Sequence, residues 1–281
     1  MSLILDGCSS GFFSCCYITL MKVFDYFNDH KRIPTSIDCS QSYSIYKHHP
    51  SEDVYNLFFK TNNDIDIEYT EKIFYGDLTI EFQFSPYKYL PFKQFKPFID
   101  KYFSFNQNVL DASEFLIKKY NINPENTCGV FYRGNDKVKE TQKPSYNEVV
   151  EQAEKIRKEN PGIQFVVQTD EYEFLKYFQE NFPDAIYFHE IPIINNQMNT
   201  VAYVFQNDVR KSDFILFFLA SVYNFSKFKK LITTSGNGEI FIMFYRNHTE
   251  GLIQYLKQNE YIYGQKVISY DPNQTQFWYT S

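Results

Sequence analysis

No apolar run in this sequence of 281 residues is long enough to cross a bilayer; the most apolar window, residues 214–222, falls far short of the ~20 residues a spanning helix needs. The N-terminal MSLILDGCSSGFFSCCYITLMK has no basic stretch, and Asp6, Gly7 and serines interrupt its apolar residues, so neither a signal peptide nor a membrane anchor is expected. Positive charge is not in excess. Lys and Arg number 28 against 34 Asp and Glu, a net charge of −6, which excludes an overall basic surface of the kind that grips nucleic-acid phosphates. The cysteines, Cys8, Cys15, Cys16, Cys39 and Cys128, are an odd set with no C-x-x-C pair. That pattern fits reduced, partly buried thiols in a reducing compartment and disfavours a metal centre. His30, His48, His49, His189 and His248 are equally scattered. A soluble cytoplasmic protein without a nucleic-acid partner is the expectation, in a host cytoplasm if the chain is viral.

Tryptophan occurs once, yet Phe and Tyr number 30 and 24. Phe, Tyr, Asn, Lys and Ile share A/T-rich codons, so the skew points to an A/T-rich genome, such as that of a large virus, rather than to an aromatic ligand. The length suits one large domain or two of ordinary size. Two are expected, residues 1–122 and 123–281, because the Asn- and Pro-containing stretch 120–127 reads as a boundary.

Along the first part, Leu3–Leu5 reads as a short strand, Gly7, Ser9, Ser10 and Gly11 as a small-residue turn, Phe12–His30 as a helix and Ile33–Ile37 as a second strand: one βαβ unit. Residues 40–97 are irregular, with a β-like piece at 78–84. Helical spacing returns over 98–117, where Phe98, Tyr102, Phe105, Val109, Ala112 and Leu116 share a face. The second part alternates: strand 129–132, helix 145–160, strand 164–168, helix 172–181, strand 185–188, helix 213–225, strand 231–234, then a helix to Arg246. This alternation predicts an α/β fold with a parallel sheet wrapped by helices.

Three of these strands end in polar groups. Tyr132 runs into Arg133, Gly134, Asn135, Asp136 and Lys137; Gln168 into Thr169, Asp170 and Glu171; Thr234 into Ser235, Gly236, Asn237 and Gly238. Each has an ordinary explanation: solvated loop cations, a helix N-cap at Asp170, a glycine turn. In a doubly wound sheet, however, all three would lie at the carboxyl edge where ligands bind. A helix opened by Ser-Gly-Asn-Gly offers backbone N–H groups to an anion. With Arg133 and Lys137 added, the edge could neutralise a diphosphate. Asp136 would orient Arg133 or Lys137, and Asp170 would accept from a sugar or base or cap its helix.

These segments resemble the donor-binding half of the GT-B fucosyltransferases, above all the α-1,6-fucosyltransferases, nodulation enzymes and protein O-fucosyltransferases. Tyr132 to Lys137 is similar to their H-V-R-R-T-D-K, Val166 to Glu171 to their A-T-D-D, and Leu231 to Ser235 to their C-T-F-S-S. The likeness covers 128 to about 246, and GFFSCCYITLMKVF resembles their N-terminal glycine loop and helix more loosely. It implies two Rossmann-like domains facing across a cleft, the donor on the second and the acceptor, a glycan or small hydroxyl compound, mainly on the first. It also implies transfer from a nucleotide sugar, GDP-fucose foremost, by an inverting mechanism with no metal cofactor; Asp64-Ile65-Asp66 matches a metal-binding D-x-D by letter only. Carried across position by position, Arg133, Asp136, Lys137 and Asp170 match motif residues, while Ser235, Gly236, Asn237, Gly238 and Gly11 fall in the donor loops. Gly134 stands in place of a second arginine and Phe131 in place of a histidine, so another GDP-sugar, or a relic that binds without transferring, stays open. For the base that removes the acceptor proton, Asp6, Asp38 and His48 lie near strand ends, and Asp38 is the choice.

Overall fold

The computed structural model describes residues 2–5, 7–67, 71–73, 82–135, 137, 140–194, 204–205, 207–208, 210–257, 261–263, 266–268, 274 and 276–281. The chain opens with β1 (Ser2–Ile4), α1 (Phe12–His30) and β2 (Ser36–Asp38). The two strands pair in parallel, Ile4 opposite Asp38, as the βαβ pattern predicts. Helix α1 stops where Lys31 turns left-handed, its N–H returning to Phe27 O. After α2 (Val54–Phe58) and β3 (Phe59–Lys60) comes a departure from the sequence expectation. The periodic stretch 98–117 is two helices, α3 (Phe92–Tyr102) and α4 (Gln107–Lys119), split by β4 (Ser104–Phe105). Asn106 caps α4 by accepting from Val109 N, and Phe105 stacks on Phe59 across the β3–β4 pair, ring centroids 5.3 Å apart. Each helix buries apolar residues, Phe98 and Tyr102 on α3 and Val109, Ala112 and Leu116 on α4, and their spacing continues across the break. Of the β-like stretch 78–84, residues 82–84 form a 3-10 turn and 78–81 lie outside the described residues.

The second part follows the expected alternation: β5 (Thr127–Tyr132), α5 (Tyr146–Glu159), β6 (Gln164–Thr169), α6 (Tyr172–Asn181), β7 (Ile186–Tyr187), α7 (Lys211–Lys227), β8 (Lys230–Thr233), α8 (Asn237–Arg246) and β9 (Leu252–Tyr255). A hairpin, β10 (Tyr261–Tyr263) with β11 (Lys266–Ile268), and β12 (Trp278–Thr280) complete it. The main sheet has six strands in the order β12-β9-β8-β5-β6-β7, all parallel but β12, which runs antiparallel to β9. Strand β5 is buried along its whole length, as a central parallel strand must be. Its alternate side chains divide the core. Cys128, Val130 and Tyr132 face α5 and α6, while Phe131 joins the larger core that reaches from Leu5 through α1 and α3 to α7, α8 and β9. Gly129 lets α7 approach this strand, since a Cβ there would meet the Phe225 ring at 2.7 Å.

Helix α5 begins with a full capping box between Ser145 and Glu148. Helix α1 lies on α8, and α4 on α7, so residues of the first 120 positions roof the second-half sheet. None of the described helices is long and apolar enough to cross a membrane.

Candidate active site

Strands β5, β6 and β8 end in register: Tyr132 lies opposite Thr169, and Phe131 opposite Thr233. From β5 the chain proceeds to β6 and β7 on one side, while β8 and β9 fill the other. The gap between the β5 and β8 ends is therefore a topological switch point, where such sheets open a crevice. A cavity of about 280 Å³ occupies it.

Arg133 and the loop after β8 meet there. The Arg133 N–H donates to Thr234 Oγ1 at 3.0 Å, and Thr234 N–H donates to Phe131 O at 3.1 Å. Gly11, Arg133, Lys137, Asp170, Gly236, Asn237 and Gly238 all line the cavity. Asp170, almost fully buried, accepts from Gly134 N–H at 2.8 Å and pairs with Arg133 Nε at 3.2 Å. It thus fixes a guanidinium rather than capping α6, whose N-cap is Glu171 without a side-chain bond. Asp136, expected to orient the cations, lies outside the described residues. Lys137 is held by Gln83 Oε1 at 3.1 Å, by Glu140 and by the face of Phe84.

Two expected residues are not brought to the cavity. Ser235 lies under the loop, donating to Tyr255 O at 2.8 Å and accepting from Gln254 Nε2 at 2.9 Å. Asp38 ends β2 as read, but its Oδ1 accepts from Ser40 N–H at 2.8 Å. The Ser40 hydroxyl and N–H, aided by Lys47, hold its carboxyl below the usual range, which weakens it as a base. It is not part of the cavity wall. His48 instead bonds Ser212 Oγ at 2.7 Å on the surface; Asp6 is outside the described residues. Asp64 and Asp66 are exposed and absent from the cavity wall.

Three residues that sequence reasoning passed over belong to the wall. Gln83 arrives from a distant segment. Glu140 follows Lys137 by one turn, an i,i+3 spacing that could have flagged it. Glu239 sits in the first turn of α8, 2% exposed, accepting from Thr234 Oγ1 at 2.9 Å. Burial pushes its carboxyl up, against the pull of its own N–H, Lys137, Thr234 and Arg133. Tyr87 braces the same loop: its hydroxyl accepts from Gly236 N at 2.9 Å and donates to Gly236 O at 3.1 Å. Asn237 Nδ2 reaches Ser14 Oγ on α1 at 3.0 Å. The remaining wall is aromatic, with Phe13, Tyr17, Phe214 and Phe218 prominent.

Beside this wall, Cys15 Sγ donates to Cys8 Sγ at 2.9 Å. That hydrogen bond holds the half-buried Cys8 thiol down to about 6, against its partial burial, while Cys15 is pushed up. Iodoacetamide should therefore alkylate Cys8 first, with a rate half-maximal near pH 6, while buried Cys16, Cys39 and Cys128 resist; peptide mass spectrometry across pH reads this out. A Cys8 rate that climbs only near an ordinary thiol pKa contradicts the arrangement.

No protein-family model matches the chain, and no curated protein sequence matches it. Solved structures do. NodZ α-1,6-fucosyltransferase co-crystallised with GDP aligns with a TM-score of 0.57 at 12% identity, over 90% of this chain and 93% of that one. NodZ soaked with GDP-fucose gives 0.55 at 14% identity, over 90% and 94%. The Bradyrhizobium fucosyltransferase NodZ gives 0.54 at 12%, over 90% and 94%. This is a fucosyltransferase-like fold. The likeness runs over nearly the full length of both chains, so the fucosyltransferase-like fold extends beyond the motif-bearing stretch 128–246 into the first 120 residues.

Gly134, where the motif of that family has arginine, has a physical reason. A Cβ there would come within 2.1 Å of the Glu171 carboxyl. Glu171 is itself anchored by Asn135 N at 3.0 Å, Lys143 Nζ at 2.5 Å and Tyr146 OH at 2.9 Å. A buried carboxylate with its own cation occupies the space that a side chain at 134 would enter.

Proposed function

We propose that the protein is a glycosyltransferase that moves a sugar from a nucleotide-sugar donor, GDP-fucose foremost, to a glycan or other hydroxyl acceptor, with inversion and without a metal. The observation that carries this is the meeting of Arg133 with the Thr234–Gly238 loop at the switch point, in a cavity that also holds Lys137 and the start of α8. The fold shared with a fucosyltransferase crystallised with GDP supports the choice of donor. Residues 123–281, with Gly11, would hold the donor, and residues 1–122, through the aromatic wall of α1, would face the acceptor.

In such a transfer the leaving diphosphate gains negative charge as the sugar carbon becomes oxocarbenium-like. Arg133, aimed by Asp170, and Lys137 would meet that charge, together with first-turn N–H groups of α8, which helix geometry leaves without intrahelical acceptors. Ser235, turned to Tyr255, would support the loop rather than touch the donor. Asp38 is off the wall, so the base falls to a wall carboxylate. Asp170 is committed to Arg133 and Gly134, and Glu239 lies deep in the loop. Glu140, partly exposed beside Lys137, is therefore the proposed base.

Titration calorimetry with GDP, UDP and dTDP in EDTA tests the donor, and turnover of the matching nucleotide sugars tests the chemistry. GDP should bind at least tenfold tighter than the others. Failure of all three to bind sinks the proposal. GDP binding without hydrolysis or transfer favours the second possibility, a binding relic, for which the filled space at Gly134 speaks.

A further inference from the structure

Helix α8 does not present an empty terminus to a ligand. The Glu239 side chain folds back over the loop that precedes its own helix, so that its Oε2 lies within 2.8 Å of where a Cβ on Gly236 would be. Its other oxygen takes the Thr234 hydroxyl, which in turn takes the Arg133 N–H. The groups that would greet a diphosphate are thus already arranged around an acidic side chain.

We propose that Glu239 and the donor's diphosphate share this helix terminus, so that donor binding takes up one proton at Glu239. The inference rests on the nucleotide-sugar reading above and concerns the same cavity. Charges facing Glu239 come from each neighbouring element: Arg133 and Lys137 after β5, Asp170 after β6, Glu140 on the loop, and the neutral phenol of Tyr87 beneath Gly236. In the free protein the two cations and the helix terminus favour the carboxylate, and burial opposes it. A bound diphosphate takes over those cations and adds two like charges within the same buried space. Ionised Glu239 then loses its cations and keeps the Thr234 hydroxyl, whereas protonated Glu239 can donate to a phosphate oxygen.

The linkage has a definite sign. Below the free-state pKa of Glu239 the side chain is protonated before and after binding, and affinity is greatest. Above it, each pH unit weakens binding tenfold until the bound-state pKa is reached. Because burial already raises the free-state value, the window opens above the ordinary carboxylate range.

The test is calorimetry with GDP-fucose, whose diphosphate is esterified at both ends and has no titrating proton in the range. Titrations run between about pH 5 and 8.5 in buffers of different ionisation enthalpy, so that proton uptake is counted directly. Wild type should take up as much as one proton per nucleotide within the window. Glu239→Gln, which keeps the acceptor for Thr234, should take up none and bind with pH-independent affinity. Thr234→Val removes a hydroxyl that favours the carboxylate, and should move the window to higher pH. Equal uptake in Glu239→Gln, no uptake by wild type, or an unmoved window in Thr234→Val overturns the inference while nucleotide binding stands. Absence of binding by GDP-fucose and by UDP- and dTDP-sugars alike overturns the reading beneath it as well.

Discussion

Arg133→Ala should lower the rate of sugar transfer by at least about 10²–10³-fold, the loss that follows removal of one preorganised donor to a developing anion. Arg133 is held at two points. Its backbone N–H is bonded to Thr234 and its guanidinium is ion-paired through Nε with Asp170, so it needs little reorganisation when charge appears on the leaving group. Arg133→Lys should recover only a small part of the rate, because an ammonium on a flexible stem cannot serve both Asp170 and a phosphate from one plane. The fold should survive. Asp170 keeps the Gly134 N–H, and the Arg133 side chain is 29% exposed, so water can reach the vacated space. The measurements are kcat, KM and a thermal melt on one preparation. A rate within threefold of wild type would remove Arg133 from the chemistry, and a collapse of the melt would make the variant uninformative without Arg133→Met beside it.

Gly134→Ala should destabilise the protein by about 3 kcal/mol, near the upper end of overpacking penalties. At this chain length that is a fall in Tm on the order of 5–10 °C. The added methyl lands on the Glu171 carboxyl, which cannot retreat without breaking bonds to Asn135 N, Lys143 and Tyr146 while 3% exposed. Glu171→Ala alone should also destabilise, by stranding those donors. In the Glu171→Ala background, however, Gly134→Ala should add less than about 1 kcal/mol, the signature of coupled neighbours in a double-mutant cycle. Additive losses would place the strain elsewhere.

How much of this was legible in the sequence varies with the range of the interactions. Local signals were read well: α1 and α6 begin and end at the expected residues, and α5 starts just after Ser145, where a helix was expected to open. The buried run ending at Tyr132 implied a central strand, and its polar sequel implied a site. Arg133, Lys137, Asp170 and residues 236–238 do converge, because parallel strands in register must deliver their following loops to one edge. What failed was long-range. Nothing around Ser235 foretells that Gln254 and Tyr255 will turn its hydroxyl inward. Asp38 lies at a strand end as expected, yet a turn two residues long captures its carboxylate. Gln83 and Tyr87 belong to an irregular stretch whose place is set by tertiary packing, so no periodicity could bring them to residues 137 and 236.

Tyr87 carries one more implication. A single phenol satisfies both polar groups of the Gly236 peptide, as an adjoining strand would, and it comes from 149 positions earlier in the chain. Asn237 leans likewise on Ser14, and Asn224 beneath them on Ser113. The stretch beginning at residue 123 is thus braced by the first part of the chain: without Tyr87, the Gly236 N–H would lose its acceptor, while Gly236 O would keep the Ile240 N–H. The N-terminal residues therefore set the shape of the loop that opens α8.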